Sequence, residues 1–351
     1  MPRLSPEEIV EGWKKVERGD SPPSSPTSTN YRLYEPLSSA ADSYVHWAQT
    51  PHERVYTGIT ALDKQMRGIA PGEMSMLVGH SHGGKTLVLL HMLTQNRNKK
   101  IALFIPDEPK TLVLTKLTCI HHGVDANELE YRVGQDDSAA IQLLRQTAEE
   151  DFPNLAVFDQ PLLPSDMERA YGEVSDLWGE PPDLVVVDYL ELVEAGETVP
   201  AKAQFLKAFG RRHNIPLLVL HQTSRTSGAD GRKLTMSSGA YGGEQQATSL
   251  IGVRRKKYEI MSEMTELIEN LDRSHTERKQ DRFDMLRYEL KVHEYTISLS
   301  LMKNKRPGGS LVDDVDFELD INTGRIYELK SGELPDQYLK NVAWKEQPES
   351  F

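Results

Sequence analysis

The stretch "GHSHGGKT", Gly79 to Thr86, packs two histidines and three glycines ahead of a lysine and a hydroxyl. Its spacing, a glycine, four residues, then Gly84, Lys85 and Thr86, is that of a loop whose backbone N–H groups curl around phosphate. In that chemistry Gly79, His80, Ser81, His82, Gly83 and Gly84 form the cradle, Lys85 reaches the β and γ oxygens, and Thr86 holds magnesium. A zinc reading of His80 and His82 fails for want of partners at ligand spacing, and both are expected on the outer surface of the loop. Hydrolysis also needs an acid near the magnesium, and the apolar run "DLVVVD" ends in Asp188, whereas Asp183 starts the same run and belongs to its far end. A base must orient the attacking water. Asp107 and Glu108 follow "ALFIP", and Glu108 is favoured, with acids capping a helix amino terminus as the plainer alternative. His221 and Gln222 close "IPLLVLHQ", where they can hydrogen-bond a γ-phosphate or simply form a turn.

These groups need a frame that brings them together. From Thr57 onward short apolar runs alternate with helical stretches: "MSMLVG", "KIALFIP", "NLAVFD", "DLVVVDYL" and "IPLLVLHQ". Continuous apolar strands are buried on both faces, which predicts an α/β fold with a mostly parallel sheet covered by helices and ligands at the carboxyl ends of the strands. "MSMLVG", the loop and "TLVLLHML" stand in the order strand, loop, helix that the phosphate cradle requires. Residues 258–294 are crowded with charge, while Ile260, Met264, Leu267 and Leu271 recur at helical spacing, so a charged helical insertion or hairpin is expected. "YTISLSLMKNK" alternates Tyr295, Ile297, Leu299 and Leu301 inward, and "DVDFELDINTGRIYEL" turns around Asn322 to Gly324, predicting terminal antiparallel strands.

Ahead of this frame, Ser5 to Arg18 reads as an amphipathic helix with Ile9, Val10, Trp13 and Val16 on one face, within a segment 1–18. A Pro/Ser-rich linker and lead-in covers 19–55, the main domain 56–330, and a polar tail 331–351. The single Cys119 excludes an internal disulfide framework and a cysteine-based zinc site. No apolar run approaches the roughly 20 residues of a membrane span and no signal-peptide pattern opens the chain, so a cytoplasmic location is expected. A net charge of −12 argues against a positive coat for wrapping duplex DNA and confines any nucleic-acid contact to a local lining.

Taken in order, "TGITALDKQMRGIAPGEMSMLVGHSHGGKT", "VVVDYLEL", "LKAFGRRHNIPLLVLHQTSR", "SGAYGGEQQATSLIGV" and "LMKNKRPGG" resemble successive signatures of the DnaB-type replicative helicases, from about Tyr56 to Leu329. The resemblance implies a RecA-like motor domain that works as a homohexameric ring, hydrolyses ATP with magnesium between subunits and pulls single-stranded DNA through its centre. It implies phosphate and magnesium binding by Lys85 and Thr86, the second acid at Asp188 and a γ-phosphate sensor at Gln222. Glu108 resembles the glutamate of RecA-type proteins, while alignment through Pro109 puts Asp107 in that place. The family's K-x-R segment, which enters the neighbouring subunit's site, reads Lys303, Asn304, Lys305, Arg306 here, so the finger is Lys305 or Arg306.

The chain also departs from the family. The helical domain that contacts primase is replaced by the short helix and linker, so other replication proteins stay open as partners. The helix is expected to dock on a neighbouring subunit. DNA contacts fall to Lys202 after Asp188 and to Arg225, Arg232 and Lys233 in the later glycine-rich loop, unless that loop is only polar surface. The alternative function is a RecA-like recombinase or helicase-loader ATPase that binds DNA without unwinding it, and a third is a nucleotide-switched assembly protein.

Overall fold

The computed structural model describes residues 37–223, 242–271, 277–330 and 332–339, and divides the chain into two units, Met1–Thr50 and Pro51–Phe351. The amphipathic helix read over Ser5 to Arg18 lies outside the described residues, as do Arg225, Arg232 and Lys233. In the first unit, helix α1 (Leu37–Gln49) occupies part of the stretch read as linker and lead-in, and it buries none of its residues.

The second unit is built on one nine-stranded sheet, with the third strand in sequence at one edge and the ninth at the other. Six strands run parallel: β1 (Met74–Gly79), β2 (Ile101–Phe104), β3 (Leu155–Phe158), β4 (Leu184–Val187), β5 (Leu217–Gln222) and β6 (Ser249–Arg254). The five apolar runs that the sequence marks as strands are β1 to β5, and β6 is a strand that the sequence reading does not mark. Their side chains alternate between two cores: Leu77, Leu103, Val186 and Leu218 enter one, while Met76, Ala102, Val185 and Val219 enter the other. Helices α3 (Lys85–Gln95) and α4 (Lys110–His122) close the first core through Val88, Leu89, Val113 and Leu117. On the opposite face, α7 (Pro164–Trp178) supplies Met167 and Val174, and α8 (Val199–Arg212) supplies Leu206 and Phe209. A sheet covered on both sides explains why its strands carry no polar face. Three short helices complete this half: α2 (Thr60–Met66) before β1, then α5 (Ala126–Gly134) and α6 (Ser138–Gln146) before β3.

Strands β7 (Thr296–Asn304), β8 (Val312–Leu319) and β9 (Ile326–Glu328) extend the sheet in antiparallel fashion. Ile297, Leu299 and Leu301 point into the core, in keeping with the alternation in "YTISLSLMKNK", but Thr296, Ser298 and Ser300 on the other face are buried too. That face is sealed by polar contacts, among them the Ser298 hydroxyl donating to Asp316 at 2.6 Å. Between β6 and β7 the charged stretch forms two helices, α9 (Lys256–Leu271) and α10 (Glu277–His293), pinned by Arg282 across to the Glu263 carboxylate at 2.8 and 3.0 Å. Within the stretch read as a polar tail, the amides of Asp336 and Gln337 donate to the buried Glu318 carboxylate at 2.9 and 2.7 Å. Among the described residues no helix is long and apolar enough to cross a membrane.

At the end of β1 the sheet tolerates no side chain, because a Cβ on Gly79 stands 2.2 Å from the Val253 carbonyl oxygen of β6. Gly79→Ala is expected to force β1 and β6 apart and to cost about 3 kcal/mol or more in urea denaturation. A midpoint equal to that of the parent chain counts against this packing constraint.

Candidate nucleotide site

Parallel pairing aligns the strand ends. Gly79 lies opposite Gln222, and the Thr223 amide continues the ladder onto the Gly79 carbonyl at 3.1 Å. On the other flank of β4, the Asp188 amide donates to the Phe104 carbonyl at 2.8 Å. The phosphate-loop residues, the acid after β4, the acids after β2 and the polar end of β5 therefore emerge on one edge of the sheet, the edge where such folds hold ligands.

The loop turns tightly before α3. His82 has φ 60° and Gly84 φ 94°, and the Gly83 amide closes on the His80 carbonyl at 2.9 Å. Gly84 is the N-cap of α3, so the following amides stand at the positive end of that helix. Lys85 is buried, its ammonium donating to the carbonyls of Gly79 at 3.0 Å and His80 at 2.8 Å. Burial lowers its pKa, and the charges of Asp188 and Glu191 counter that shift. Ser81 and His82 are exposed, as expected for the outside of the loop. His80 is not. Its Nδ1 and the Thr223 hydroxyl share a 2.5 Å hydrogen bond, and burial together with Lys85 lowers the imidazole pKa.

The Thr86 hydroxyl donates to Asp188 Oδ2 at 2.8 Å, which brings two hard oxygen ligands together beside the cradle. Asp188 is only 4% exposed, and its pKa rises to about 6. Desolvation is the largest cause; Glu108 and Asp107 add to it, whereas the Thr86 hydrogen bond and Lys85 oppose it. Both acids after β2 thus act on Asp188, yet their settings differ. Asp107 is exposed, while Glu108 is half-buried, with Oε1 bound to the Lys116 ammonium at 2.5 Å and Oε2 buried without a hydrogen-bond partner.

Gln222 hydrogen-bonds Tyr189 through its side chain, and its amide donates to Glu191 Oε1 at 3.0 Å. The same oxygen lies 2.8 Å from Nδ1 of His221, which is fully buried and faces Glu244 Oε2 across 3.8 Å with Nε2. Lys202 is turned back onto the Glu191 carbonyl at 2.5 Å. Sequence reasoning passes over Glu191, Glu244, Thr223 and Lys116, since their partners lie on other elements and no local spacing marks them.

Adjacent residues diverge at the end of β7, where Met302 is skipped in the pairing with β6 and the strand is re-aimed. Lys305 is exposed. Arg306 is bound within its own chain, to Glu73 Oε2 at 2.5 Å and to the Gly68 carbonyl at 3.2 Å. Lys207 and Lys303 both have lowered pKa values, with burial the main cause. The charges of Arg211 and Lys305 add to the shift at Lys207, and those of Lys305 and Lys207 add to it at Lys303. Lys305 thus shares its surroundings with Lys207 and Lys303, whose ammonium groups are bound to oxygens of residues 244–246.

Residues 54–280 match the family model of the DnaB-like helicase C terminal domain. The chain belongs to that family. Curated relatives include the replicative DNA helicase DnaB of Pasteurella multocida, 24% identical over 56% of this chain and 45% of the relative. The DnaB of Haemophilus influenzae is 22% identical over 52% and 42% respectively. The chain thus spans about half the length of the curated relatives it matches. Among solved structures, an ATPase domain solved by itself aligns with a TM-score of 0.63 at 15% identity, over 85% of this chain and all of that one. A DnaB-like replicative helicase, solved for its interactions with primase, aligns with a TM-score of 0.62 at 14% identity, over 93% of this chain and 72% of that one. These likenesses establish the RecA-like fold, and family membership supports a helicase-type, ATP-hydrolysing enzyme.

The raised pKa of Asp188 makes a stability prediction with a definite sign. Between the usual carboxyl pKa of about 3.9 and about 6, the folded state binds more protons than the unfolded one, so stability falls as pH rises through that window. Above it the cost is complete, at most about 3 kcal/mol for a shift of about two units. Asp188→Asn should therefore melt higher than the parent at pH 7.5 without nucleotide, and the gain should fade as pH falls toward 4. A gain that is constant across this range refutes the buried charge as its source.

Proposed function

We propose that this chain is an ATP-driven, ring-forming DNA helicase motor that moves on single-stranded DNA during replication. The observation that carries the reading is the Thr86–Asp188 pair beside a buried Lys85 at the mouth of the phosphate loop, in a chain of the DnaB-like family. Thr86 and Asp188 are the residues that would hold magnesium, whose positive charge offsets that of the phosphates. Their oxygen chemistry suits that ion, and a cation bound there would favour the charged form of Asp188 that burial disfavours. Lys85 exchanges its two carbonyl partners for phosphate oxygens, and the amides from His80 to Gly84 line the cradle.

For the base we assign Glu108. The Lys116 ion pair fixes one of its oxygens and leaves the other available to orient water, whereas nothing comparable holds the exposed Asp107. Gln222 is the sensor. Its amide and the Lys202 ammonium both bind Glu191, so a shift at Gln222 when the γ-phosphate leaves is felt at the root of α8, where Lys202 stands near the DNA path. Arg225, Arg232 and Lys233 complete that path in this reading. Between Lys305 and Arg306, Lys305 is the finger that enters the neighbouring site of a homohexamer, because Arg306 is tied to Glu73.

Glu108→Gln should still bind ATP yet hydrolyse it at least about 100-fold more slowly, the loss expected when a positioned base is removed. If Asp107→Asn is the crippled variant instead, the base moves by one residue. The finger is tested by mixing. Lys85→Ala and Lys305→Ala subunits, each inactive alone, should regain part of their hydrolysis in mixed rings, because one class of interface then holds both intact parts. No rescue, with mixed assembly verified, argues that the site is completed within one chain. Strand displacement on a forked duplex separates a helicase from a recombinase or loader that binds DNA without unwinding it.

A further inference from the structure

At the far end of α3 and α4, about 16 Å along these helices from the phosphate loop, the chain gathers a group that the nucleotide chemistry does not use. His121 and His122 close α4, and Asp151 ends a π-helical turn, Thr147–Asp151, that leads toward β3. His121 Nε2 lies 3.6 Å from Asp151 Oδ1, and His122 Nε2 lies 3.0 Å from Asp151 Oδ2. One ligand atom from each of the three falls within 4.8 Å of the others. Tetrahedral zinc, with bonds of about 2.0–2.1 Å, spaces its ligand atoms by about 3.3 Å. The 3.6 Å and 3.0 Å separations involve different oxygens of Asp151, so a rotation that brings one of these oxygens to both imidazoles closes the geometry.

The supports are already in place. Gly123 ends α4 in the left-handed region, with its amide on the Cys119 carbonyl at 2.8 Å, and Arg325 donates to the carbonyls of Ile120 and His121. The His121 ring packs edge-on against Phe152. The wider turn at 147–151 closes through the Phe152 amide on the Thr147 carbonyl at 3.0 Å, and such turns recur at functional sites. Side-chain exposures of 20%, 18% and 13% for His121, His122 and Asp151 keep the group mostly dry but reachable. Two groups compete with a metal. Arg97 Nη1 lies 3.3 Å from His121 Nε2 and 3.7 Å from Asp151 Oδ1, and the Thr147 hydroxyl lies 3.2 Å from His122 Nε2. Arg97 is 45% exposed and can swing to solvent.

We propose that His121, His122 and Asp151 bind zinc as a three-ligand site with water in the open fourth position, and that the ion clips the end of α4 to the turn before the edge strand β3. Two imidazoles and one carboxylate select zinc over magnesium or calcium, which prefer all-oxygen shells. Zinc requires both Nε2 atoms as unprotonated acceptors, so any proton on them moves to Nδ1 or to solvent on binding.

The test uses the full chain without a purification tag, stripped by chelator and saturated with magnesium and ADP so that the nucleotide site is occupied. Cobalt titration should give one equivalent with the intense visible band of four-coordinate cobalt, zinc should displace it, and zinc should raise the melting temperature. His122→Gln and Asp151→Asn should each weaken binding at least about tenfold. Arg97→Ala should tighten it, because a competing cation is removed, an outcome that an ion-pair cluster without a metal does not produce. Absence of the band, an unchanged band in His122→Gln, or weaker binding in Arg97→Ala overturns the proposal.

Discussion

Asp188 holds its carboxyl group 2.8 Å from the Thr86 hydroxyl in a place that is 4% exposed, between the acids after β2 and the lysine of the phosphate loop. An ionised carboxylate resists such a setting, and much of the surrounding architecture serves to keep it there. The β2–β4 pairing fixes its backbone through the Phe104 carbonyl, and the glycine-lined turn brings Thr86 to it. A nearby cation relieves this cost, which is how a site can be disfavoured alone and favoured when loaded.

The same logic extends one strand further. Glu191 accepts from His221 and Gln222 while its carbonyl takes Lys202, and His80 reaches Thr223 from the loop itself. These bonds join β1, β4 and β5 at one edge by charge and polarity, where the strands behind them are joined by apolar packing. Buried polar networks of this kind rigidify when satisfied. Glu244 Oε2 and His221 Nε2 lack hydrogen-bond partners, so this network keeps a weak point at its margin.

Much of the frame was legible because it is local. Strand, glycine loop and helix follow one another in twenty-odd residues, and five of the six parallel strands announce themselves as apolar runs without reference to a partner. The places of Lys85, Thr86 and Asp188 just past the ends of their strands were readable for the same reason. What the sequence did not reveal depends on contacts between distant elements. Glu191 meets Gln222 and His221 across thirty residues of chain, and the buried serines of β7 look like solvent-facing residues until the strands beside them are in place. Lys305 and Arg306 are neighbours of similar charge, and only the bulge at Met302 and the position of Glu73 tell them apart.

The Arg306–Glu73 bond has a mechanical meaning. Glu73 immediately precedes β1, whose other end carries the phosphate loop, and Arg306 follows Lys305 at the end of β7. Strands β1, β6 and β7 lie side by side in one sheet, so this bond acts as a second fastener between the lysine's mount and the loop. Within one chain the two behave as points on a single lever, held at a fixed span. In the ring proposed above, any change in how Lys305 meets a neighbour's nucleotide would then come from tilting the whole lever against that neighbour, and the compliance of the assembly would reside in the joints between its subunits.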